Sequence, residues 1–150
     1  MSLKDGIYTI TTSSGGHLVG RHWVEDKSLL PKRVVTLHSV GYTQPKWDVH
    51  AVGNGNYKIK TGGSYVGVMP DGHVFAFLLE DMIQGSEWKI QHVPQHGDNA
   101  YIITKGDGSE GWTYKDKDRS QISVGTMIHT NSLPPMYPDN LVFNITPDDD

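Results

Sequence analysis

The sequence predicts an all-β protein made of three equivalent four-stranded units, and three observations carry that prediction. A short apolar segment opened by tyrosine recurs as Ile7-Tyr8-Thr9-Ile10, Asn56-Tyr57-Lys58-Ile59 and Ala100-Tyr101-Ile102-Ile103. An aromatic-x-aliphatic closing segment recurs as Trp47-Asp48-Val49, Trp88-Lys89-Ile90 and Phe143-Asn144-Ile145. The tyrosines return at intervals of roughly 45 residues, a period that marks a repeated supersecondary unit. Between these landmarks the apolar residues alternate with period two, as in Ile122/Val124, which is the pattern of a strand with one buried face.

Each unit reads as four strands. The first unit predicts strands at 6–12, 17–21, 33–38 and 46–52, the second at 55–61, 64–68, 73–78 and 87–93, and the third at 99–104, 111–115, 121–125 and 141–146. Turn chemistry separates them: Ser13-Ser14-Gly15-Gly16, Gly53-Asn54-Gly55-Asn56, Gly62-Gly63, Pro70-Asp71-Gly72 and Gly106-Asp107-Gly108. Leu79 to Met82 is the one helix-compatible stretch, and it stops at Gly85. Twelve strands in three units match a β-trefoil, a six-stranded barrel capped at one end by three hairpins. Closure removes most strand edges and so stabilises a chain without cross-links. A single β-trefoil domain is expected over 1–150, with repeats at about 6–53, 54–97 and 98–147. Tyr8, Tyr57 and Tyr101 are expected in equivalent places, as are Trp47, Trp88 and Phe143.

Composition narrows the function. The 150 residues suffice for one ordinary core. The net charge of −4 provides no basic field for nucleic acid or anionic lipid. With no cysteine there is neither a disulfide framework nor a thiol nucleophile. The start Met1-Ser2-Leu3-Lys4-Asp5-Gly6 lacks an apolar secretory core, and no apolar run approaches spanning length. The expectation is a cytoplasmic monomer without membrane or nucleic-acid partners. Asp148-Asp149-Asp150 reads as a solvated tail.

Function is sought where the units differ. The connection between the second and third strands runs from Arg21 to Lys32 in unit one and is much shorter in the others. The connection before the last strand is long in unit three, from Thr126 to Asn140. Long connections in a compact fold usually carry function. The first of them contains Lys27-Ser28, a basic residue followed by a small one, which is what a trypsin-like protease binds and cleaves. Held by a barrel, such a loop docks with little ordering cost, and Pro31 restricts it before the third strand. Its flanks are Glu25, Asp26, Leu29, Leu30 and Pro31, and the two acids count against a trypsin site. An exposed lysine without a role is the bland reading of the same pattern.

The full 150 residues resemble the mushroom β-trefoil serine protease inhibitors of the cospin and cnispin type. The likeness rests on Met1-Ser2-Leu3 followed by Gly6-Ile7-Tyr8-Thr9-Ile10, on Ser28-Leu29-Leu30-Pro31-Lys32-Arg33-Val34-Val35, on Val74-Phe75-Ala76-Phe77, on Pro94-Gln95-His96-Gly97-Asp98-Asn99-Ala100-Tyr101, and on Ser132-Leu133-Pro134-Pro135. The resemblance implies a basic residue in the loop between strands two and three that enters the trypsin pocket. Lys27 holds that place, as lysine where arginine is expected. In cnispin-like members the corresponding lysine lies before the last strand. This chain has no lysine or arginine between Gly125 and Asn140, so a trypsin site is not expected there.

Other chemistry is poorly supported. The histidines at 17, 22, 38, 50, 73, 92, 96 and 129 lack metal-ligand spacing, so no metal site is expected. No phosphate loop or nucleophile elbow is present, and local acid pairs do not make a glycosidase. Arg119-Ser120 is a rival basic-small pair, read as a solvated turn. Two alternatives remain. A carbohydrate-binding β-trefoil lectin would use Trp23 and Trp112, which look placed in loops, but the Gln-x-Trp repeat of that class is absent. A cysteine protease inhibitor of mycocypin type would use the Gly-rich connections at 13–16 and 61–64. The favoured expectation is a non-enzymatic inhibitor of trypsin-like serine proteases, with Lys27 and Ser28 as the reactive pair and no cofactor.

Overall fold

The computed structural model describes residues 3–21, 25–38, 44–79 and 86–148. Among them the strands are β1 (Gly6–Thr12), β2 (Leu18–Arg21), β3 (Lys32–Leu37), β4 (Trp47–Gly53), β5 (Asn56–Thr61), β6 (Ser64–Val68), β7 (Val74–Phe77), β8 (Trp88–His92), β9 (Ala100–Lys105), β10 (Glu110–Thr113), β11 (Ser123–Thr126) and β12 (Phe143–Pro147). Each lies within a few residues of its expected place. Helix among the described residues is confined to 3-10 turns at Pro94–His96 and Asp139–Leu141. Of the helix-compatible stretch, Leu79 lies in a bend, and residues 80–85 are outside the described residues.

Six strands close a barrel through the pairings β1–β4, β4–β5, β5–β8, β8–β9, β9–β12 and β12–β1. The other six form the hairpins β2–β3, β6–β7 and β10–β11. The hairpins join through β3–β7 and through bridges Val35↔Gln121 and His73↔Ser123. This is the β-trefoil. Alternation drives the burial. In β5 Tyr57, Ile59 and Thr61 face inward while Asn56, Lys58 and Lys60 are half-buried between them. In β3 both faces are covered from Val34 onward. The segment 119–122 lies along it, with hydrogen bonds Arg119 N to Thr36 O (2.8 Å) and Ile122 N to Val34 O (2.8 Å).

The register makes the three units equivalent. Tyr8 pairs with Trp47, Tyr57 with Trp88 and Tyr101 with Phe143. The Trp47 indole donates to the Val19 carbonyl at 2.8 Å, and the Trp88 indole to the Val66 carbonyl at 2.9 Å. The cross-strand pairs Thr11↔Leu18, Lys60↔Tyr65 and Thr104↔Gly111 then put Trp112 where the other units have Val19 and Val66.

Trp112 is therefore not in a loop, as the lectin reading took it, but fully buried in β10. Its ring meets Trp47, Trp88 and Phe143 at 5.8, 5.5 and 5.9 Å between centroids, so the closing aromatics of all three units converge on it. The two inner positions trade volume. Units one and two combine valine with tryptophan, and unit three combines tryptophan with phenylalanine. A pattern search built on the closing Trp misses this swap because it reads one position at a time.

Candidate functional site

The β2–β3 connection is braced from both legs. On the first leg, Arg21 ends β2 and donates through Nε and Nη2 to the Glu25 carboxylate at 3.0 and 2.6 Å. The same guanidinium donates to the Gly62 carbonyl in the β5–β6 turn at 3.1 Å. Gly62 has φ +59°, a left-handed position that suits glycine, and a Cβ there would lie 2.6 Å from Arg21 Nη1, so a larger residue would push the guanidinium aside. Residues 22–24, including His22 and Trp23, are outside the described residues.

On the second leg, Lys32 opens β3 with a side chain only 5% exposed. A buried ammonium must be compensated. Lys32 Nζ donates to the Asp26 carbonyl at 3.1 Å, to the Asp26 carboxylate at 2.5 Å and to Ser28 Oγ at 3.3 Å. The Asp26 carboxylate also accepts from the Ser28 amide at 3.0 Å and the Ser28 hydroxyl at 2.5 Å, which makes an Asx-type turn around Lys27. The Leu30 amide donates to Ser28 Oγ at 3.3 Å. Hydrogen bonds from Lys32 first, then from Ser28, hold the Asp26 carboxyl at about 2, below its ordinary 3.8.

Lys27 itself is exposed and makes no hydrogen bond or ion pair among the described residues. It projects between two fixed neighbours, with the Asp26 carbonyl held before it and the Ser28 amide held after it. Leu29 and Leu30 beyond it are each 62% exposed, an apolar pair offered to a partner. Pro31 is half-buried just before β3. The two acids that counted against a protease site are neutralised inside the loop, Glu25 by Arg21 and Asp26 by Lys32. Arg21 and Lys32 are the residues that sequence reasoning missed. Their signal was the opposite charge of Glu25 and Asp26 on the same connection, too common a pattern to be specific.

The second long connection is ordered in a different way. Met127 and Tyr137 pack on the core cluster of Val93, Ala100, Ile102 and Val142. Thr130 N donates to the Met136 carbonyl at 2.9 Å, and Met136 N donates to Thr130 Oγ1 at 2.9 Å. Gln95 Nε2 donates to the Pro135 carbonyl at 2.8 Å, and the Tyr137 amide donates to His96 Nε2 at 2.9 Å. The excursion 131–135 is thus pinned at its base, and Leu133 near its end is 96% exposed. Met127 and Tyr137 are thus partly buried by packing, whereas Leu133, Ile128 and Met136 stay exposed.

The rival features fare less well. Arg119 is exposed with φ +57°, while Ser120 is buried against Thr36, so that pair is not presented as a free loop. Burial of Trp112 removes one of the two aromatics available to a lectin site. The Gly62–Gly63 turn is occupied by Arg21.

The fold is a β-trefoil in which hydrogen bonds brace the described part of the β2–β3 connection. The family model for peptidase inhibitor I66 matches residues 1–147, and the chain belongs to this family of inhibitors, which are not themselves enzymes. It is 40% identical over 144 residues to a serine protease inhibitor of Lentinula edodes, covering 96% of this chain and 97% of the relative. Its structure is similar to that of a proteinase inhibitor from Coprinopsis cinerea, with TM-score 0.90, 32% identity and coverage of 98% of this chain and 100% of the other. The BEL β-trefoil, at TM-score 0.66 and 12% identity over 97% of this chain and 96% of its own, shares the fold alone.

Proposed function

We propose that the chain inhibits trypsin-like serine proteases by substrate-like occlusion of the active site with the loop around Lys27. The observation that carries the reading is the free, exposed Lys27 side chain on a loop whose other charged groups, Glu25, Asp26 and Lys32, are internally paired. A lysine suits a deep specificity pocket with an acid at its base. Pre-set backbone on both sides of it lowers the ordering cost of docking. Membership in an inhibitor family and similarity to a serine protease inhibitor support the same reading.

The brace also bears on the fate of the acyl-enzyme. If the protease serine acylates at the Lys27 carbonyl, the Lys27–Ser28 bond breaks and Ser28 leaves as a free amine. That nitrogen is the one already bound to the Asp26 carboxylate at 3.0 Å. The amine stays beside the acyl carbonyl, so religation competes with hydrolysis through high effective concentration. The test is titration of trypsin with the purified protein beside a glycan-array screen. Stoichiometric loss of activity without glycan binding supports the reading, and glycan binding with full trypsin activity favours the lectin alternative.

A second reading concerns the 126–140 connection. Leu133, 96% exposed on a pinned excursion, offers an apolar anchor without a cation. It fits a protease with an apolar specificity pocket, of chymotrypsin or elastase type.

A further inference from the structure

We propose that His17, His38 and Asp116 form a binding site for a divalent transition-metal ion of the zinc type. His17 immediately precedes β2 and His38 immediately follows β3, and the pair Leu18↔Leu37 sets them across the end of that ladder. Their imidazole rings stack with centroids 3.6 Å apart and planes 21° apart. Asp116, from the β10–β11 connection, brings a carboxylate oxygen to 3.3 Å from His17 Nε2. One ligand atom from each of the three residues lies within 4.8 Å of the others.

The third ligand is held in place by backbone. The Asp118 carboxylate accepts the His38 amide at 2.9 Å. Thr36 Oγ1 donates to the Lys117 carbonyl at 2.5 Å and accepts the Ser120 amide at 3.1 Å. The run Lys115-Asp116-Lys117-Asp118-Arg119 is sorted by its alternation. Lys115, Lys117 and Arg119 line a groove with His73 and Asn140, while Asp116 and Asp118 meet the two histidines. Arg119 Nε lies 3.8 Å from the Asp118 carboxylate, which leaves Asp116 as the carboxylate facing His17.

The donor set selects the ion. Two imidazoles with one carboxylate suit zinc and its neighbours, whereas calcium and magnesium take oxygen ligands. Ligand atoms on one tetrahedral zinc lie roughly 3.3 Å apart with each imidazole lone pair aimed at the ion, so one of the two stacked rings turns out of the stack when the ion binds. Three protein ligands leave a fourth position for water. Sequence spacing could not reveal the group, because its members come from three connections joined only by the trefoil. The site sits at the opposite end of the β2–β3 ladder from Lys27 and is independent of the proposed inhibition.

The experiment is calorimetric titration of metal-free protein with zinc chloride at neutral pH. It compares the natural chain with His17→Gln, His38→Gln and Asp116→Asn, and with His50→Gln, which removes only the surface pair His50–Asp5. Circular dichroism confirms that each variant is folded. The expected result is one zinc per chain, with affinity falling at least about tenfold in each of the three site variants and unchanged in His50→Gln. Cobalt(II) should give visible absorption bands that the three variants lose. No saturable zinc binding below about 1 mM, or equal binding by all variants, overturns the proposal.

Discussion

The buried ammonium of Lys32 donates to both the backbone carbonyl and the carboxylate of Asp26. Through this one residue the barrel fixes the backbone on either side of Lys27. The carbonyl contact sets the residue before it, and the carboxylate passes the constraint on to the Ser28 amide. A surface ion pair of ordinary kind contributes little. This one differs because one partner is almost wholly buried.

Lys32→Met keeps the buried stem and removes the charge. Inhibition of trypsin should weaken by about tenfold or more, because the charge-assisted hydrogen bonds that fix the loop are lost. The variant should also be cut faster between Lys27 and Ser28, because the Asp26 carboxylate that holds the leaving amine loses its own anchor. Inhibition constants and mass spectrometry of the mixture check both points. Unchanged inhibition with an intact loop would show the brace to be dispensable.

The Asp26 carboxyl gives a pH signature. Its folded value is depressed to about 2 from 3.8, so its contribution is complete above the ordinary value and is lost as pH falls through about 2. Carboxyl and Ser28 amide resonances should stay constant from neutral pH to about 4 and then titrate with a midpoint near 2. In Lys32→Met the midpoint should move up toward the ordinary value. A midpoint near 3.8 in the natural chain would mean that the Lys32 contact is not made in solution.

Trp112 is the central filler of the barrel, with its indole N–H unpaired among the described residues. Trp112→Ala should cost about 3–5 kcal/mol by leaving a cavity among Trp47, Trp88 and Phe143. Trp112→Phe should cost clearly less, because it removes the unpaired donor along with part of the volume. Denaturant unfolding measures both. Equal losses would contradict this account, because phenylalanine leaves much the smaller cavity.

The connection before β12 should hold a second protease if the exposed Leu133 is an anchor. With the protein saturated by trypsin, chymotrypsin should still be inhibited, and Leu133→Asp should abolish that inhibition while sparing trypsin. Full chymotrypsin activity in the presence of excess protein would dismiss the second site.

Much of the barrel was legible because Tyr8, Tyr57 and Tyr101 each sit two residues before an aliphatic residue and pair with a closing aromatic. Period-two burial leaves that mark directly in a sequence. Trp112 escaped because its role depends on Phe143 being smaller than the Trp of the other units. The proposed role of Lys27 starts from a basic-small pair in an overlong loop, which the sequence displays directly. The brace was not legible, since Arg21–Gly62 spans two units and a lysine gives no sign in the sequence that its side chain is buried.

The central claim is that Lys27 is the anchor, and trypsin inhibition by Lys27→Ala tests it most directly. A fully enclosed anchor contributes at least about 2 kcal/mol, so the alanine variant should inhibit roughly thirtyfold less well or worse. Lys27→Arg should retain inhibition, because both side chains reach the same acid. Undiminished inhibition by Lys27→Ala would contradict the account and move the reactive site to another loop, with Arg119 the next residue to replace.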